Sequence, residues 1–461
     1  MVFSSTVFLF LFLPAVLALY YIPRTGREYK NTVLLSASLA FYAWGEPAFV
    51  FVMLGFVLIN WFAGLKIGAA QTHGAKKAWL TAAVALDIAL IVVFKYLGFL
   101  SFNFLKLFGR EAFALKIALP IGISFFTFQI MSYVFDVYYG HAAVQRRPDR
   151  LALYISMFPQ LIAGPIVRYE TVAREIGERR ENREDFCEGM ARFITGLAKK
   201  VLIANYAGLC ADNVFSLEPR LIAVGTAWLG AVAYMVQIYF DFSGYSDMAI
   251  GLGRMFGFRF DENFDYPYVA RSATEFWRRW HMSLSGWFRD YVYIPLGGNR
   301  GGTAKTIRNL FAVWLLTGVW HGANWTFVLW GLYWFVLLVT EKQTGLAKCP
   351  NAFGHVTTLL LVLFGWVLFR SESIGACGAF LGAMFGAGSG QWADTLTAYL
   401  SGGSAFALIA GAVFAFPVVP KLKERFGAHP AVRGIVLAVL FAVSAMLCVK
   451  STYNPFIYFN F

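Results

Sequence analysis

The chain has 461 residues, of which 59% are hydrophobic, 18% aromatic and only 14% charged. A soluble domain carries about 25% charged residues, and a water-facing surface of this extent cannot be assembled from fewer, so soluble, disordered and disulfide-scaffold classes are excluded. Lys plus Arg number 39 and Asp plus Glu 26, a net charge of +13; in so apolar a chain that excess marks cytoplasmic loops and not a nucleic-acid partner.

The expected fold is all-α: a polytopic integral membrane protein of about eleven or twelve crossings, with re-entrant and amphipathic helices besides. The opening MVFSSTVFLFLFLPAVLALYYI has no basic leader and reads as a retained first helix over 3–22, not a cleaved signal. Arg24, Arg27 and Lys30 follow it, so its far end is expected in the cytoplasm. Further apolar runs lie near 31–45, 47–65, 78–98, 118–138, 151–167, 190–210, 222–245, 309–340, 355–369, 403–419 and 431–449. The basic loops at 24–30 and 66–77 fall on one side under this alternation. A single membrane domain over 1–461 is expected, with N-terminal helices in 1–140, a core in 141–345 and C-terminal helices with an aromatic tail in 346–461. Five scattered cysteines form no C-x-x-C or His/Cys cluster, so neither a disulfide framework nor a zinc site is read.

Residues 158–168, F-P-Q-L-I-A-G-P-I-V-R, carry two prolines and a glycine in an apolar run and predict a kinked or re-entrant segment. Residues 168–192 are dense in both charge signs and predict a solvated or interface-lying cytoplasmic helix. D-F-S-G-Y-S-D at 241–247 is read as the end of an apolar span. Asp241 and Asp247 there either cap the helix or, with Ser243, line a polar cavity. Residues 241–308 are too long and too polar for a plain connection. Within them, T-E-F-W-R-R-W-H-M-S-L-S-G-W-F reads as one amphipathic helix with Trp277, His281, Leu284 and Phe288 on a stripe. Arg278 and Arg279 fall on another stripe, as headgroup anchors or contacts to substrate phosphates. The Gly-Gly turn at 297–298 is a weak phosphate-docking signal.

Between Arg308 and Glu341 no Asp, Glu, Lys or Arg occurs. As one straight helix the 32 residues would measure ~48 Å, well beyond the ~30 Å of hydrocarbon. The segment is therefore strongly tilted or broken, and Gly318, Gly322, Ala323 and Asn324 favour a break at His321. V-W-H-G-A-N-W then sets an imidazole deep in the membrane between Trp320 and Trp325. An ionisable group at that depth faces a cavity or a partner. Two readings stand: a hydrogen-bonded structural histidine, or a neutral general base. The tail F-I-Y-F-N-F either anchors at the interface or delivers the Tyr458 phenol to a reaction centre.

D-F-S-G-Y-S-D-M-A-I-G, F-W-R-R-W-H-M-S-L-S-G-W-F-R-D-Y-V-Y-I-P-L-G-G-N-R and G-V-W-H-G-A-N-W together resemble the membrane-bound O-acyltransferase family, in its bacterial polysaccharide branch. The N-terminal run and the F-P-Q-L-I-A-G-P block extend the resemblance nearly end to end. It implies a helical bundle around a central funnel, a catalytic histidine at His321, a second characteristic histidine at His281 and, at Tyr458, a tyrosine that carries the acyl group. It implies acetyl-CoA as donor, reached from the cytoplasm of a bacterial inner membrane, with no metal.

The implied route runs from donor to Tyr458, to a hydroxyl on an extracytoplasmic SGNH/GDSL-like partner, and on to alginate, peptidoglycan or a similar polysaccharide. His321 would be the base. His281, Asn324 or a backbone N–H would stabilise the oxyanion or orient that base, and the basic cytoplasmic mouth would favour approach of polyanionic coenzyme A. The competing classes are a transporter exporting a polysaccharide or acyl carrier, and a scaffold that recruits a soluble acetyltransferase.

Overall fold

A computed structural model describes residues 1–110, 113, 115, 117–162, 164–345, 351–388, 396–426, 429–451 and 453. Secondary structure among them is helical throughout, as the composition predicts. The chain forms two compact units, Met1–Phe193 with Ser246–Asp261, and Ile194–Tyr245 with Glu262–Phe461. Among the described residues, four helices are long and apolar enough to cross a membrane: Phe49–Ala69, His73–Leu107, Ala352–Arg370 and Pro430–Lys450. Phe8–Tyr20, Ile374–Met384 and Gly402–Phe414 are apolar but shorter.

The first unit opens with α1 (Leu13–Tyr20), α2 (Arg27–Ala43), α3 (Phe49–Ala69) and α4 (His73–Ile91), the last continuing through a π-turn into α5 (Leu97–Leu107). Thr72 caps α4 by accepting the Ala75 N–H at 3.2 Å. On facing sides of α3 and α4, Asn60 and Asp87 are both fully buried, and Asn60 Nδ2 donates to Asp87 Oδ1 at 2.8 Å. α6 (Ile123–Tyr139) packs on both helices. Its Tyr133 ring lies against Gly64, where any side chain would collide with the phenol.

The proline-rich run is broken as predicted: α7 (Pro148–Ser156) stops at Met157 and α8 (Phe158–Leu161) restarts with Pro159 in its first turn. The single charged helix predicted after it is two helices, α9 (Tyr169–Glu178) and α10 (Arg183–Ala198). α9 buries Tyr169, Val172 and Ile176 along one stripe. The break between the two helices has a physical cause. Arg179 turns inward, its side chain wholly buried, and gives hydrogen bonds to Asn31, to Tyr20 and to the Phe256 carbonyl. Glu181 beside it collects Arg27, Lys30 and the Tyr20 hydroxyl. Burial alone would raise the Glu181 carboxyl; the bonds from Arg27 and Tyr20 outweigh it and hold its pKa at about 2.

α11 (Asn205–Phe215) follows α10 through a π-turn over Lys199–Ala204. α12 (Val224–Met255) is a 32-residue helix, and it corrects the reading of D-F-S-G-Y-S-D. The motif lies inside the helix and not at its end, because Asp241 does not cap: it forms a buried ion pair with Lys200 at 2.7 Å. Asp247 pairs with Arg192 at 2.9 Å. The amphipathic stretch is likewise two short helices, α13 (Ala273–Arg279) and α14 (Met282–Phe288), and not one.

α15 (Thr303–His321) and α16 (Trp325–Thr344) form the broken segment, a helical hairpin with its turn at Gly322–Asn324. Gly318 and Gly331 meet across it so closely that a side chain on either would strike backbone, the small-residue packing that replaces the hydrophobic effect between membrane helices. α17 (Asn351–Arg370), α18 (Ile374–Met384), α19 (Leu396–Tyr399), α20 (Gly402–Phe414), α21 (Val418–Phe426) and α22 (Pro430–Lys450) complete the chain. The core here is aromatic: Trp277, Trp280, Trp334 and Trp366 pack around Phe276, and Trp314 and Trp330 pack edge to face on Trp277.

Candidate active site: two histidines around an indole

His321 is the last residue of α15, and Gly322 after it leaves the helix with φ −176°. The imidazole is 8% exposed. Its walls are aromatic: Trp320 at 4.9 Å between ring centroids, Trp330 at 5.0 Å and Phe369 at 5.0 Å, all nearly perpendicular to it. The turn that places it is built locally. Asn324 caps α16 by accepting the Thr326 N–H at 3.1 Å and gives its Nδ2 to the Glu372 carbonyl at 2.8 Å.

His281 sits at the break between α13 and α14 with φ 44° and ψ 52°, a left-handed conformation that a non-glycine residue adopts at a cost. Neighbouring contacts hold it there. Glu341 of α16 receives the N–H groups of Ala273 and Thr274, each at 2.8 Å, and so fixes the start of α13. Met282 N–H donates to the Asn263 carbonyl at 3.0 Å. The imidazole is 1% exposed. Phe242 lies edge-on at 4.6 Å and Trp320 at 6.3 Å. Residue 281 falls between the predicted spans, and burial there pushes its pKa down to about 3, so the ring is neutral at physiological pH. Nδ1 lies 3.1 Å from Asn263 Oδ1, and Nε2 has no hydrogen-bond partner among the described residues.

Both histidines are therefore ring neighbours of Trp320. The other predicted residues fall in different places. Trp325 is 51% exposed, and Asn324 spends its side chain on the turn. Arg279 is clamped by Glu275 at 3.0 Å and Asp265 at 2.7 Å, while Arg278 is exposed. Asp241 is committed to Lys200, and Ser243 is buried with no partner for its hydroxyl among the described residues. Tyr458 lies outside the described residues. Asn263, fully buried beside His281, is the neighbour that sequence reasoning missed; an asparagine in a polar loop carries no signal of its own. Among the described residues one trio of metal-type ligands gathers, Asp136, His141 and Glu170, and His141 and Glu170 are exposed. The buried Asp136 carboxylate already accepts the Glu170 N–H at 2.9 Å.

A family model described as MBOAT, membrane-bound O-acyltransferase family, matches residues 148–369, the stretch that holds both histidines. The chain is 44% identical to a probable alginate O-acetylase of Pseudomonas putida over the whole of both chains. This chain belongs to the membrane-bound O-acyltransferase family. It is also 47% identical to a probable alginate O-acetylase of Pseudomonas aeruginosa, over 87% of this chain and 78% of that one. It is 33% identical to a peptidoglycan O-acetyltransferase of Helicobacter pylori, over 84% of this chain and 80% of that protein. The protein is thus a membrane acyltransferase, as the motifs predict.

Proposed function

We propose that this acyltransferase takes an acetyl group from acetyl-CoA on the cytoplasmic side of the inner membrane and passes it outward for O-acetylation of a polysaccharide. The names of the relatives favour alginate as the acceptor, ahead of peptidoglycan. The observation that carries this reading is the pair of buried imidazoles around Trp320, His321 ending a helix packed among aromatic rings and His281 held neutral beside Asn263.

In the proposed reaction His321 is the general base. A phenol with an ordinary pKa near 10 is a weak nucleophile at neutral pH. An imidazole within hydrogen-bond reach takes its proton as the oxygen attacks the thioester carbonyl. The C–S bond breaks, the coenzyme A thiolate leaves, and the base returns the proton to it. Tyr458 is the proposed nucleophile, and an O-acetyl ester on its oxygen is the relay. A serine hydroxyl of an extracytoplasmic SGNH/GDSL-like partner then takes the acetyl group and hands it to the sugar. A covalent relay moves two carbons and no charge across lipid, whereas moving coenzyme A would carry several phosphates.

The test is vectorial. In proteoliposomes of the purified chain with acetyl-CoA on one face only, acetyl transfer to a soluble partner on the other face is expected, with free coenzyme A released on the donor face. Exchange of labelled polysaccharide or acyl carrier across the vesicle without thioester cleavage would identify a transporter instead.

A further inference from the structure

Asn263 precedes α13 by ten residues and is completely buried. Its backbone is stitched to the α13–α14 break on both sides: Met282 N–H donates to the Asn263 carbonyl, and Asp265 N–H donates to the Arg279 carbonyl, each at 3.0 Å. The side-chain oxygen of Asn263 receives the Ser283 N–H at 3.3 Å and the Ser283 hydroxyl at 2.8 Å. A backbone N–H only donates, so the amide atom that faces it is the oxygen. The same oxygen lies 3.1 Å from His281 Nδ1. An amide oxygen only accepts, so Nδ1 carries the hydrogen. A neutral imidazole has a single N–H, which leaves Nε2 as a bare lone pair, buried and without a hydrogen-bond partner among the described residues.

We infer that Asn263 is a positioning residue that locks His281 in the Nδ1–H tautomer, so that His281 Nε2 serves the reaction as a hydrogen-bond acceptor and not as a donor. The hydrogen on Nδ1 follows from the hydrogen bonds and the bare Nε2 from the burial that keeps the ring neutral; their consequence for turnover rests on the acyl-transfer reading. This deepens that reading at one point. A neutral Nε2 with no hydrogen cannot stabilise an oxyanion. It can only accept, so its ligand in the site is an N–H or O–H donor other than the hydroxyl whose single proton His321 takes. The arrangement also accounts for the left-handed backbone of His281, since Ser283 two residues on must turn back to share the same oxygen.

The experiment is nitrogen NMR on the full-length chain in detergent, with histidine ring nitrogens labelled and His281→Gln used to assign the His281 signals. The expected wild-type spectrum has Nδ1 protonated and Nε2 unprotonated at neutral pH. Asn263→Asp keeps an acceptor oxygen and should keep this tautomer; Asn263→Leu should mix or reverse it. A wild-type His281 with hydrogen on Nε2, or on both nitrogens, overturns the assignment without need of any variant. In turnover, Asn263→Leu should lower kcat by at least about 100-fold, the lower end of what a positioned proton-transfer group contributes, with KM for acetyl-CoA unchanged, and Asn263→Asp should recover most of that loss. Full kcat in a folded Asn263→Leu protein whose tautomer has switched would overturn the catalytic role. The Nδ1–H tautomer in a wild-type protein that never cleaves acetyl-CoA would instead overturn the acyl-transfer reading and uphold the lock.

Discussion

His281 and His321 share one aromatic neighbour: the Trp320 ring lies 6.3 Å from the first imidazole and 4.9 Å from the second, centroid to centroid. Trp320 is 8% exposed, so it packs in the interior between the two rings and is not a surface anchor. Its removal should spoil the placement of both rings without removing a reacting group. Trp320→Leu is expected to lower kcat by about 100-fold, the cost of roughly 1 Å of misplacement, and Trp320→Phe by much less. Steady-state kinetics on detergent-purified protein, with thermal melting to confirm the fold, checks this. Equal activity in Trp320→Leu and wild type would remove Trp320 from the site.

The sequence points to His321 because a charge-free run too long for one upright crossing has to tilt or break, and glycines and an asparagine favour a break there. The hairpin α15–α16 turns there. The sequence does not show the breaks at Arg179 and His281, because each is set by partners far along the chain. Arg179 is drawn in by Asn31, Tyr20 and Phe256, and His281 by Asn263 and, through α13, Glu341. Helical periodicity reads through such positions as if nothing were there. Asp241 was legible as a chemistry-grade residue, but its neighbour was not. Lys200 lies in an apolar stretch 41 positions earlier, and only the packing of α12 brings the two together.

That pair makes the sharpest stability prediction. Lys200 and Asp241 have side chains 3% and 2% exposed, at 2.7 Å. Losing one partner strands a buried charge, whereas losing both leaves an apolar contact. Lys200→Met alone should cost about 3–5 kcal/mol, and the double variant Lys200→Met with Asp241→Leu should restore most of it. Chemical or thermal unfolding in detergent reads the cycle. Additive losses in the double variant would show that the two charges do not depend on each other.

The Glu181 cluster predicts a pH effect of definite sign. Its carboxyl is held at about 2 in the folded chain, below its ordinary 4.5. A lowered carboxyl stabilises the fold fully above its unfolded value, and that contribution drains away as pH falls toward the folded value. Between about pH 5 and pH 3 the wild type should therefore lose more thermal stability than Glu181→Gln does. Parallel melting curves for the two proteins over that interval would remove the cluster from the acid response.

That the His321 imidazole, packed among Trp320, Trp330 and Phe369, is the base of acyl transfer is the proposal on which the rest depends. Its most direct measurement is single-turnover release of coenzyme A from acetyl-CoA by the purified chain, wild type against a folded His321→Ala, with the polypeptide mapped for the retained acetyl group. Loss of release by at least about 100-fold is expected in the variant, and in the wild type an acetyl ester on Tyr458. Undiminished release by His321→Ala would contradict the proposal.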